Sequence, residues 1–79
     1  MISEEHHKWL KEKGFSFNNL VNGYYKLTTP EEYLIVRPLN EGTKFKALKI
    51  RLCEKAGESP ECDSPEEAIK EIKDVGKTN

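Results

Sequence analysis

The pattern of apolar and polar positions changes period once along the chain. Over residues 2–13 the apolar positions recur at helical spacing, Ile2 being followed about two turns later by Trp9 and Leu10 with charged residues between them. Ser3 stands where an N-cap would, and Glu4 and Glu5 suit the positive end of a helix dipole. Gly14 offers the left-handed residue of a Schellman ending, with Phe15 folding back on Leu10. From Phe15 onward, aromatic and β-branched runs alternate with the turn residues Asn22-Gly23, Thr29-Pro30-Glu31-Glu32 and Asn40-Glu41-Gly42-Thr43. The runs predict strands over residues 23–29, 32–39 and 44–54, with 15–21 either a fourth strand or a loop that buries Phe15, Phe17 and Leu20. Residues 55–61 read as a polar loop. Ser64-Pro65-Glu66-Glu67 then has the chemistry of an N-cap, a proline at N1 and a capping-box glutamate. The helix it opens carries the stripe Ala68, Ile69, Ile72 and Val75 and is closed by Gly76.

The expected fold is one α+β domain over residues 1–79: an N-terminal helix, an antiparallel meander of three or four strands and a C-terminal helix, with both helices on one face of the sheet. Strand side chains alternate between faces. This directs Tyr25, Leu27, Leu34, Val36, Leu48, Ile50 and Leu52 toward the helices, and Tyr24, Lys26, Tyr33, Ile35, Arg37, Lys49 and Arg51 toward the open side. Phe45 and Ala47 fall out of phase with Leu48, Ile50 and Leu52, which predicts a bulge near Ala47.

Composition narrows the picture. With 79 residues there is room for one core, and the 34% charged and 35% hydrophobic content is that of a folding chain rather than a disordered one. No apolar run approaches the roughly 18 residues of a membrane span. The first residues also lack the basic and apolar regions of a secretory signal, so the cytoplasm is the expected compartment. Two cysteines, Cys53 and Cys62, are too few for a disulfide scaffold and are expected to be thiols in a reducing cell. The net charge of -1 conceals an asymmetry: residues 1–57 carry ten Lys/Arg against seven Asp/Glu, and residues 58–79 three against seven.

Candidate chemistry concentrates on the open side. Tyr24, Lys26, Tyr33, Arg37, Lys49 and Arg51 would form a face of tyrosines and cations, suited either to a protein partner or to phosphates and stacked bases. An ordinary wet sheet face has a similar look. The surrounding carboxylates, Glu31, Glu32 and those of the second helix, weaken the nucleic-acid reading, because phosphate binding gains from a broad basic footprint. His6 and His7 are neighbours that diverge on a helix, and Cys53 and Cys62 are too widely spaced for a structural zinc site; no metal or cofactor is expected. No G-x-S-x-G, H-E-x-x-H, P-loop or G-x-G-x-x-G motif occurs, and no catalytic residue is assigned. The function expected is that of a non-enzymatic protein-interaction module, an adaptor or inhibitor of the kind a mobile element would carry as an accessory protein. Nucleic-acid binding is the alternative, and pairing through an exposed edge strand would give a homodimer.

Overall fold

The computed structural model describes residues 3–74. Its elements are α1 (Glu4–Glu12), β1 (Ser16–Asn18), β2 (Gly23–Thr29), β3 (Glu32–Leu39), a 3-10 turn (Asn40–Gly42), β4 (Lys44–Arg51), β5 (Glu54–Glu58), α2 (Pro65–Lys70) and β6 (Lys73–Asp74). The six strands form one antiparallel sheet in the order β1-β2-β3-β4-β5-β6, and both helices lie on the same face of it. The α+β class and the helix placement agree with the sequence pattern. The strand count does not, being six among the described residues rather than three or four.

Helix α1 forms as its local chemistry dictates. The His6 N–H donates to Ser3 Oγ at the N-cap. At the other end the Phe15 N–H donates to Leu10 O and the Gly14 N–H to Lys11 O, with Gly14 at φ 93°, the paired bonds of a Schellman motif. A helix of nine residues is marginal alone, so its stability comes from seating Leu10 in the core.

The first extra strand is β1, the short form of the segment 15–21, paired with β2 from Ser16↔Tyr25 to Asn18↔Gly23. The second is β5. The expected strand over 44–54 breaks at Leu52-Cys53, which form a two-residue hairpin loop with φ of 51° and 67°, and the expected loop 55–61 folds back as β5. A two-residue loop of this kind asks for left-handed residues, normally Asn-Gly, and neither leucine nor cysteine announces it. Each non-glycine residue held there costs about 1–2 kcal/mol. The variant Leu52→Asn/Cys53→Gly is therefore expected to be more stable by about 1–2 kcal/mol, read as a higher urea midpoint at unchanged m value.

Helix α2 begins where expected, the Glu67 N–H donating to Ser64 Oγ at 3.1 Å, while Glu67 Oε1 accepts from the Asp63 N–H at 3.4 Å and so caps one residue earlier than a capping box would. It ends at Lys70, short of Val75 and Gly76, which lie outside the described residues. Residues 73–74 instead pair with Gly57 and Glu58 as β6. A Cβ at Gly57 would stand 2.8 Å from Ile72 Cγ2, so the glycine is what lets Ile72 close over the sheet beside α2.

The core lies between helices and sheet. It comprises Leu10, Phe15, Tyr24, Val36, Phe45, Ala47, Cys62 and Ala68, with Trp9, Leu34, Ile69 and Ile72 at its margin. The register Tyr24↔Val36↔Ala47 puts these three side chains in one row beneath the helices. Tyr24, Phe45 and Ala47 are thus core residues, and the expected bulge near Ala47 is absent: β3 and β4 pair residue by residue from Leu39↔Lys44 to Glu32↔Arg51. The irregularities sit elsewhere. Thr28 is the extra residue of β2 against β3, and Ala56 that of β5 against β4.

Candidate functional site

The same registers define the sheet face that carries no helix. One row runs Tyr25, Ile35, Leu48 and Glu58; the next runs Leu27, Tyr33, Ile50 and Lys55; Arg37 and Lys46 lie side by side above the first row. Lys73, paired with Glu58, extends the face onto β6. Six apolar or tyrosine side chains are therefore contiguous, and among the described residues no secondary-structure element covers them. Ile35 and Leu48 are buried, at 4% and 8% exposed, whereas Tyr25 is 37% and Leu27 62% exposed. A shallow depression of about 250 Å3, lined by Asn18, Val21, Tyr25, Leu27 and Tyr33, indents this face where the turn after β1 approaches it. Arg37 ties that turn down, its Nε donating to Val21 O at 2.9 Å.

The six residues expected to share one face are divided between two. Tyr33 and Arg37 are on the open face, and Tyr24, Lys26, Lys49 and Arg51 are on the helix side. Tyr24 is 5% exposed, its hydroxyl 2.8 Å from His7 Nδ1, and offers no platform for a base. Lys26 extends over the Phe15 ring. Lys49 and Arg51 meet Glu32 at 4.0 and 3.1 Å, and Lys49 also meets Asp74 at 3.7 Å, so their charge is largely matched. The residues absent from the expected set are Tyr25, Leu27, Leu48, Ile50, Lys46, Lys55 and Glu58. Continuity of the β3–β4 ladder was the available signal for Lys46, Leu48 and Ile50.

Glu58 is the electrostatic centre of the open face. It accepts from Lys46 at 2.6 Å and from Lys55 at 2.9 Å, and hydrogen bonds from first Lys46 and then Lys55 hold its carboxyl down from 4.5 to about 2. At neutral pH it is a carboxylate shared by two cations. Arg37 and Lys73 form no ion pair among the described residues.

The remaining polar groups are mostly structural. His6 packs edge-on against Phe45 with ring centroids 4.9 Å apart, and His7 packs against Tyr24, so the adjacent histidines serve separate contacts. Burial, and after it the Glu67, Glu71 and Asp63 carboxylates, pushes the Cys62 thiol up. Cys62 lies beside Phe45 at one end of β4 and Cys53 beyond Arg51 at the other, a separation of roughly 20 Å at about 3.3 Å per residue, and both are free thiols. Among the described residues no helix is long and apolar enough to cross a membrane. No protein-family model matches the chain, and no curated protein or solved structure is significantly similar to it.

Proposed function

We propose that this protein is a non-enzymatic interaction module, an adaptor or inhibitor that binds a protein partner through its open sheet face. The observation that carries the reading is the contiguous patch Tyr25, Leu27, Tyr33, Ile35, Leu48 and Ile50, which no element among the described residues covers while both helices pack on the opposite side. An apolar centre with two tyrosines and a polar rim is the usual anatomy of a protein-binding surface. The nucleic-acid alternative draws less support: Lys49 and Arg51 are paired with Glu32, and the Glu58 carboxylate stands between Lys46 and Lys55 on the open face, where it repels phosphate. The test is affinity capture from the native host with nuclease-treated extract, using wild type, Tyr25→Ser/Leu27→Ser and, as a control on α1, Lys11→Ser. A partner retained by wild type and the control but lost by the double variant supports the reading. Capture that depends on nucleic acid, or that ignores the double variant, removes it.

A further inference from the structure

We infer that the partner surface recognised by the open face is acidic, with carboxylates flanking an apolar side chain; this rests on the docking role proposed above. The argument is the segregation of charge between the two sides of the sheet. Among the described residues, the open face carries Arg37, Lys44, Lys46, Lys55 and Lys73 against the carboxylates Glu58 and Asp63, the latter 2.6 Å from Lys44. The carboxylates Glu32, Glu66, Glu67, Glu71 and Asp74 belong to the helix side or to α2 and its flanks. Glu58 and Asp63 match two charges of the five, so among the described residues the face presents an excess of about three positive charges to whatever covers it, at a distance where like charge repels and opposite charge steers association.

That excess selects among occupants. A second copy docked face to face would bring two cationic rims together, so self-association is disfavoured. A polyanionic nucleic acid would meet Leu27 and Ile50, which offer phosphates no donor, and Glu58, which repels them. An acidic peptide segment or protein surface satisfies both parts: its apolar side chain fills the depression bounded by Tyr25, Leu27 and Tyr33, and its carboxylates reach Arg37, Lys55 and Lys73.

Selection of random dodecapeptides displayed on phage, against the immobilised full chain, tests the inference. Enriched peptides should combine Asp or Glu with Leu, Phe or Tyr. Their binding should weaken about ten-fold or more in Lys55→Ser/Lys73→Ser, two exposed positions whose loss leaves the core untouched. Tyr25→Ser/Leu27→Ser should abolish it. Apolar peptides without carboxylates, indifferent to the lysine variant but lost with the tyrosine-leucine variant, would overturn the acidic partner and leave the docking face standing. Peptides insensitive to both variants would overturn the two together. Short single-stranded RNA or DNA that competes with the peptides, or a dimer in sedimentation that dissociates in Tyr25→Ser/Leu27→Ser, would replace the acidic protein partner with nucleic acid or a second copy.

Discussion

Phe45→Ala should cost about 3–5 kcal/mol, a large share of the stability of a chain this small. The side chain is fully buried, meets His6 edge-on and lies on the strand that α2 covers. The loss is set against a total stability of only about 4–12 kcal/mol for a domain of this size. At about 4–8 °C per kcal/mol the midpoint should fall by roughly 15 °C or more in thermal denaturation followed by circular dichroism. Leu52→Ala is the contrasting experiment. Alternation alone makes Leu52 a core residue and Phe45 an exception, yet Leu52 is 65% exposed at a hairpin tip. Its truncation should change stability by less than about 0.5 kcal/mol. If Leu52→Ala were the more damaging of the two, the strand would be inverted relative to the structure.

That pair of substitutions shows where the sequence was readable. Helix ends were legible because their chemistry is local: Ser3, Gly14, Ser64 and Pro65 act within four residues of themselves. Strand faces were not, because alternation separates two faces without saying which one a helix will cover, and both faces of β2 and β4 are apolar. Without a bulge, the turn Thr29↔Glu32 would pair Tyr25 with Val36 and send Tyr25 to the core. The extra residue Thr28 shifts the ladder to Tyr24↔Val36 and reverses the strand. In β4 the error is the converse. Alternation asks for a bulge near Ala47 to accommodate Phe45 and Ala47, whereas the unbroken ladder with β3 carries Ala47 beside Val36 and turns Leu48 and Ile50 outward. Lys49 and Arg51 therefore lie off the expected site and Lys46 lies on the open face, while Tyr33 and Arg37, on β3, whose alternation matches the structure, keep their place.

Ser59→Ala is expected to destabilise the protein by about 1–3 kcal/mol, although it removes only one oxygen. β5 ends at Glu58, and without further pairing the first half of β4 would be an open edge. Ser59 prevents this through both its backbone and its side chain: its N–H donates to Ala47 O at 2.9 Å, and its Oγ accepts from the Ala47 N–H at 2.8 Å. Two residues skipped further on, Cys62 and Phe45 exchange both backbone bonds at 2.8 Å and hand the chain to α2. With the residue only 2% exposed, alanine leaves the Ala47 N–H buried and without its acceptor. Hydrogen exchange should show the consequence beyond the mutated residue, with lost protection at Ala47, Phe45 and Cys62 together. Unchanged protection at Phe45 and Cys62 would mean that α2 is held by its apolar contacts alone. The joint loss would show that one serine oxygen fixes where the second helix lies, and hence which face of the sheet is left open.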